Sequence, residues 1–116
     1  MHDRAAQDLI ARARAETARL AEALTRQRDG IVAASEFSSN DDEHDPEGVT
    51  IAFERAQVQA LLRQAQDDLV DLDRAADRVR AGTYETCERC GGPIAEGRLV
   101  ALPATRICIT CANKAR

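Results

Sequence analysis

The sequence predicts a mainly α-helical protein, in which a long antiparallel coiled-coil hairpin is followed by a small C-terminal module. Three observations predict this class. Two stretches carry apolar residues at alternating steps of three and four, as coiled coils require. Aromatic residues make up only 3% of the chain, so a thick globular core is excluded. All four cysteines lie close together near the C-terminus.

The first predicted helix covers approximately residues 3–35. Its repeating positions start at Ile10 and end at Ala34, and they are Ile10, Ala13, Thr17, Leu20, Leu24, Gln27, Ile31 and Ala34. Most of them are apolar, with Thr17 and Gln27 as the polar members. This spacing predicts one continuous apolar stripe along the helix.

The second predicted helix spans about 36 residues, or roughly 54 Å. Its repeating positions are Ile51, Arg55, Val58, Leu62, Ala65, Leu69, Leu72, Ala76 and Val79. Asp45 fits the N-cap and Pro46 the first helical position. Arg78 and Arg80 lie where the helix dipole favours cations, and Gly82 can supply the left-handed residue that ends the helix.

The two stripes match when the chain folds back on itself. Pairing Ala34 with Ile51 and Leu24 with Leu62 keeps the sum of residue numbers nearly constant, as antiparallel neighbours require. Such a hairpin buries both stripes at a low cost in loop entropy. The alternative is that each helix pairs with another chain. We therefore predict a monomer with a hairpin at residues 1–81 and a separate module at residues 82–116.

Charge is distributed unevenly. Residues 35–50 hold six acids and no Lys or Arg, whereas the whole chain has a net charge of only −4. This stretch is the predicted hairpin tip, at residues 36–47. The acidic balance argues against general binding of duplex DNA. No apolar run is long enough to cross a membrane, so we expect a cytoplasmic protein without a membrane partner.

The cysteines predict a metal site. Cys87 and Cys90 form one C-x-x-C pair, and Cys108 and Cys111 form a second after 17 residues. Two such pairs provide the four thiolates of a structural Zn²⁺ site with no open position for catalysis. Two disulfides or a redox-active dithiol are the alternatives, and disulfides fit an intracellular chain poorly. Because so short a module buries little apolar surface, we expect zinc to supply its folding energy.

Local patterns predict how this module folds. Gly91 and Gly92 follow the first cysteine pair, where the backbone turns sharply and N–H groups can point at sulfur. Residues 98–107 are expected to form a short hairpin broken at Pro103. Tyr84 is expected to pack where the second helix meets the module. The predicted small core consists of Ile94, Leu99, Val100, Leu102, Ile107 and Ile109.

Taken together, the segments "GTYETCERCGGPI" and "RLVALPATRICITC", preceded by a helix and an acidic turn, resemble the DksA/TraR family of bacterial transcription factors. The resemblance covers residues 35–112 well and the first helix only by architecture. It implies a regulator that binds RNA polymerase through the secondary channel. It further implies that the coiled-coil tip approaches the active centre, and that the protein does not bind a specific DNA sequence directly.

The resemblance also implies roles for individual residues. The family's tip pattern Asp-x-x-Asp-x-Ala is matched by Asp42 and Asp45, with Glu47 where Ala is usual. The resemblance therefore implies that the tip acts through the acids Asp41, Asp42, Glu43, Asp45 and Glu47. Three arginines are expected to contact the rim of the channel, namely Arg89, Arg98 and Arg106. Because Leu102 precedes Pro103 where larger members have a basic residue, we expect a weak or absent response to guanosine tetraphosphate.

Two other functions fit parts of the sequence. A nucleic-acid-binding zinc ribbon would use the excess of bases after Gly82, although that stretch lacks a dense Lys/Arg cluster with interleaved aromatics. A coiled-coil adaptor would bind another protein and leave the tip inert. We do not expect an enzyme, because the sequence shows no nucleophile–base pair.

Overall fold

The computed structural model of the chain describes residues 1–37 and 46–114, except for the side chains at positions 35–37 and 46–47. Four helices follow one another: α1 (Asp3–Phe37), α2 (Pro46–Ala81), α3 (Glu96–Ala101) and α4 (Ile109–Lys114). Pairing of extended backbone, within these ranges, is limited to one bridge between Thr86 and Pro93. The predicted mainly helical class, with two long helices before the cysteine module, is confirmed.

The end of α2 follows from the residues that sit there. Gly82 has a φ of 77°, the left-handed conformation that glycine adopts at lowest cost. Its N–H donates to the carbonyl of Val79 at 3.1 Å, and the N–H of Thr83 donates to the carbonyl of Arg78 at 2.9 Å. These two bonds form a Schellman motif, and the predicted left-handed Gly82 is confirmed. At the other end, α2 begins at Pro46 as predicted, and the proposed cap Asp45 lies outside the described residues.

The chain divides into two compact units. The first comprises Met1–Glu16 and Asp68–Arg116, and the second is Thr17–Asp67. In the first unit, the start of α1 packs antiparallel to the end of α2. Ala6 and Ile10 lie in one buried cluster with Leu72, Ala75 and Val79, and the Gln7 side chain donates to the carbonyl of Ala76 at 3.3 Å.

An ion pair on the surface of the first unit has the same antiparallel register. The Arg14 Nε lies 2.8 Å from a carboxylate oxygen of Asp73. The hydrogen bond from Arg14 lowers the pKa of Asp73. Both side chains are exposed, so the pair contributes little to stability.

The second unit has its own small core, in which Leu24 of α1 lies with Val58, Leu62 and Ala65 of α2. The predicted stripe is wrong at one large residue, because Leu20 is 53% exposed. Ala21 packs against the core instead. Both positions satisfy a three–four step between Thr17 and Leu24, and the smaller residue lets the two backbones approach. Three further predicted stripe positions are exposed, namely Gln27, Ala34 and Arg55. Exposure keeps the polar groups of Gln27 and Arg55 hydrated, and Ala34 has little apolar surface to bury.

The cysteine module differs from its predicted hairpin. Residues 96–101 form the helix α3, in which the N–H groups of Arg98 and Leu99 both donate to the carbonyl of Ala95. Leu99 is fully buried, together with Ile94 and Tyr84, as predicted. Val100, Leu102 and Ile109 were also predicted to be core but are half exposed. A helix turns about 100° per residue, so Val100 points away from the side that buries Leu99.

Replacing Leu99 tests this small core. Leu99→Ala is expected to lower the free energy of unfolding of the first unit by about 2–5 kcal/mol, because it leaves a cavity beside the cysteines. Leu102→Ala is the matched control, since Leu102 is 50% exposed and its loss should cost less than about 0.5 kcal/mol. Urea unfolding of the zinc-loaded protein measures both changes. Equal effects of the two substitutions would contradict this description of the core.

None of the described helices has a stretch that is long and apolar enough to cross a membrane.

Candidate metal centre

The four cysteines come together at one point of the first unit. The sulfur atoms of Cys87, Cys90, Cys108 and Cys111 all lie within 4.8 Å of one another. Those of Cys90 and Cys108 are 3.8 Å apart. Four sulfurs at about 2.3 Å from a tetrahedral Zn²⁺ are separated by about 3.8 Å, whereas a disulfide needs about 2.05 Å. The cluster therefore suits one zinc ion, and the four cysteines are free thiols.

Two glycines shape the first cysteine pair. Gly91 has a φ of 74°, which lets the chain reverse after Cys90, and its N–H donates to the carbonyl of Cys87 at 2.9 Å. The N–H of Gly92 donates to the sulfur of Cys90 at 3.4 Å. A Cβ on Gly92 would lie only 3.3 Å from that sulfur. The predicted turn and the predicted N–H donor to sulfur are both present.

The second pair sits at the start of α4. The N–H of Cys111 donates to the sulfur of Cys108 at 3.4 Å. The N–H of Cys108 donates across the site to the sulfur of Cys87 at 3.3 Å. A backbone bond of 2.9 Å from Glu88 to the carbonyl of Arg106 holds the two halves together. Backbone N–H groups thus point at sulfur atoms that carry negative charge when metal is bound.

Side chains from outside the cysteine pairs hold the loop that leads to Cys108. The Tyr84 hydroxyl donates to the carbonyl of Pro103 at 2.7 Å. Arg78 of α2 donates to the carbonyl of Thr105 at 3.2 Å, and Arg98 of α3 donates to that of Ile107 at 2.9 Å. The sequence placed Arg78 only at a helix end and did not predict this bond.

Comparison with known proteins agrees with this geometry. The family model for the prokaryotic dksA/traR C4-type zinc finger matches residues 82–116. Residues 82–116 are a zinc finger of the DksA/TraR family. The predicted resemblance is confirmed for this segment, which we call the DksA/TraR finger, and its four cysteines are the set that holds one Zn²⁺.

The chain is also similar to a second protein sequence and to a solved structure. An uncharacterized protein from Aquifex aeolicus (strain VF5) is 48% identical over 46 residues, which are 40% of this chain and 32% of that protein. The alignment therefore spans about a third of that relative. The structure of transcription factor DksA2 from Pseudomonas aeruginosa superposes with a TM-score of 0.76 at 22% identity, covering 97% of this chain and 81% of the other. The two chains share a fold.

In the folded arrangement of the DksA/TraR finger, before the charge of a metal ion is considered, the thiols differ in acidity. Burial opposes ionisation of Cys87, but N–H donors from Cys108, Cys90 and Arg89 outweigh it and lower the pKa of this thiol to about 6. Burial and the neighbouring sulfurs raise the pKa of Cys111 to about 12. At neutral pH, Cys87 is therefore largely ionised while Cys111 keeps its proton. Zinc binding must displace that proton, since zinc binds thiolates.

Zinc affinity is accordingly expected to fall as the pH falls. The zinc-bound state holds fewer protons than the metal-free state, so acid favours the metal-free state. Displacing the Cys111 proton alone gives at least about a tenfold loss of affinity per pH unit between pH 8 and 6. Competition with a chromophoric chelator, corrected for the chelator's own protonation, measures this slope. An affinity that stays constant over the range would contradict the release of thiol protons, including that of Cys111, when zinc binds.

The other predicted site residues have different surroundings. Arg89 and Arg106 are exposed on the DksA/TraR finger, and Arg106 lies 3.9 Å from Glu88. Arg98 is half-buried with its guanidinium against the Ile107 carbonyl. Four of the predicted tip acids lie outside the described residues, namely Asp41, Asp42, Glu43 and Asp45. Glu47 belongs to the first turn of α2, and its side chain is not among those described.

Proposed function

We propose that the chain is a transcription regulator that binds RNA polymerase through the secondary channel and brings its acidic segment, residues 36–47, near the active centre. One observation carries this proposal. The chain has the fold of a protein described as transcription factor DksA2, with an acid-rich segment between two helices of 35 and 36 residues. The finger that follows α2 in the sequence matches the DksA/TraR family.

The negative charge of the acidic segment is compatible with a position near the polymerase active centre. Residues 36–47 contain six acids and no Lys or Arg. An enzyme that polymerises nucleotides surrounds its reaction with Mg²⁺ and basic groups, which attract carboxylates. Inside a channel, partial loss of water strengthens these attractions relative to those on an open surface. In this proposal Asp42 and Asp45 act directly at the active centre.

The DksA/TraR finger serves as a docking element in this proposal. From residue 82 onward the chain has five bases and three acids, the opposite balance to the acidic segment. Arg89 and Arg106 are exposed and can meet acidic groups at the channel rim, Arg106 by giving up its 3.9 Å ion pair with Glu88, whereas Arg98 already holds the loop before Cys108. The zinc ion is structural, since four sulfur ligands leave no open coordination position. Any catalysis affected by the chain is then the polymerase's own.

Binding to purified core RNA polymerase tests the proposal. The zinc-loaded full chain is expected to bind the core enzyme and to alter the lifetime of open complexes. A transcript-cleavage factor that enters the same channel should compete with it. Absence of binding would refute the proposal, and binding that the competitor does not affect would refute the channel as its site. A salt-dependent shift of duplex DNA by the protein alone would favour the zinc-ribbon alternative.

A further inference from the structure

An exposed apolar stripe lies near the start of α2, the helix that follows the acidic segment in the sequence. Phe53 is 74% exposed and Val49 is 60% exposed. They are four residues apart, so their side chains are neighbours on one face of the helix. The exposed residues Ala56 and Ala60 continue this face. We call these four residues the outer stripe.

The outer stripe lies opposite the core of its own unit. Nine residues make two and a half helical turns at 3.6 residues per turn, which places positions nine apart on opposite sides. Val49 is nine residues before buried Val58, Phe53 is nine before buried Leu62, and Ala56 is nine before buried Ala65. The stripe is thus separate from the apolar surface that joins α1 and α2. Single exposed apolar residues are common, but a contiguous aromatic–aliphatic face suits a binding partner.

Charge around the stripe restricts its partner. Residues 36–54 contain seven acids and no Lys or Arg. Arg55, the first base after them, lies two positions beyond Phe53 and so on the far side of α2, and the next base, exposed Arg63, lies three positions after Ala60, at the other end of the stripe. Nucleic acids and anionic membranes would be repelled by this charge. A second copy of the chain would bring two acidic segments together, which also disfavours association.

We infer that the outer stripe docks into an apolar cleft on a partner protein whose edges are basic, with Phe53 as its anchor. This inference rests on the proposed function, in which the partner is RNA polymerase and the cleft lies along the path of the acidic segment. Apolar contact by Val49 and Phe53 supplies affinity there, while the acids select a basic surface. The outer stripe is therefore a second determinant of binding, distinct from Asp42 and Asp45.

The test compares two double variants of the zinc-loaded full chain for binding to core RNA polymerase. Val49→Ala with Phe53→Ala removes the stripe and keeps good helix formers. Leu20→Ala with Val70→Ala is the matched control, since these residues are 53% and 49% exposed elsewhere. The first pair is expected to weaken binding at least about tenfold, and the control less than about twofold. The loss should persist at high salt, because apolar contacts are not screened.

The possible results separate the two proposals. Wild-type affinity in the Val49→Ala, Phe53→Ala variant would overturn the docking inference and leave the proposed function standing. No binding by the wild-type chain would overturn the proposed function and the inference with it. Sedimentation of the chain alone provides a third result. A dimer that the stripe substitutions dissociate would show that a second copy covers the stripe, and it would also overturn the inference.

Discussion

Removal of zinc is expected to unfold the DksA/TraR finger while most of the helical signal remains. Metal binding supplies about 10–16 kcal/mol in zinc-finger peptides, as much as the whole stability of a typical small protein. Among the described residues of the finger itself, the buried side chains other than the cysteines are Tyr84, Ile94 and Leu99. They cannot hold the finger closed once four thiols replace a metal–thiolate cluster. The helices of the finger have only six residues each, against 35 and 36 in α1 and α2.

Tyr84 reports this change directly. It is the only tyrosine, and the chain has no tryptophan. The residue is 4% exposed, and its hydroxyl donates to the carbonyl of Pro103. Chelation of zinc, or the substitution Cys111→Ser, should expose the ring and remove its near-ultraviolet circular dichroism. Adding Zn²⁺ back should restore the signal in the wild type alone. Thr110→Ala is the control, because Thr110 is exposed beside the ligand. A Tyr84 signal unchanged after full removal of zinc would contradict a metal-dependent finger.

Replacing the two central tip acids is expected to abolish regulation but not attachment. In the proposed function, Asp42 and Asp45 act at the active centre. In the docking inference, the outer stripe and the finger contribute most of the affinity. The variant Asp42→Asn, Asp45→Asn keeps side-chain size and removes two charges. Close charge pairs in a partly dehydrated site are worth about 1.5 kcal/mol or more, so their loss lowers the effect on the active centre at least about tenfold.

Open-complex lifetime and polymerase affinity must both be measured for this variant. Affinity is expected to change less than about threefold, since charges on one short segment are a small part of the interface. Asp67→Asn with Asp71→Asn is the matched control, because it removes two charges from exposed positions of α2. The control should regulate as the wild type does. Full regulation by the Asp42→Asn, Asp45→Asn variant would support the adaptor alternative, in which the tip is inert.

Much of the fold was predictable because it depends on local signals. Pro46 and Gly82 mark the ends of α2 through their own backbone preferences, and the structure places both as predicted. The spacing of the two C-x-x-C pairs likewise predicts the zinc site from local sequence alone. Leu20 could not be placed correctly, because Ala21 satisfies the same heptad step and only packing of the partner helix selects between them.

The interior of the finger was less predictable for the same physical reason. In so short a segment, Leu99 and Val100 are equally apolar, and only the direction of α3 decides that Leu99 is buried. The bond from Arg78 to the Thr105 carbonyl joins residues 27 positions apart, and no local pattern indicates it. The tip acids are a different case, because Asp41, Asp42, Glu43 and Asp45 lie outside the described residues. Their role remains a prediction from sequence.

Photo-crosslinking from the acidic segment tests the central claim most directly. A photoreactive amino acid at Ser39, in the zinc-loaded chain bound to reconstituted RNA polymerase, is expected to crosslink to polymerase segments that line the active centre. The same group at exposed Leu102 of the finger should crosslink only to the outer surface around the channel. Crosslinks from Ser39 that fall on the outer surface, or on no polymerase subunit while the protein is bound, would contradict the account.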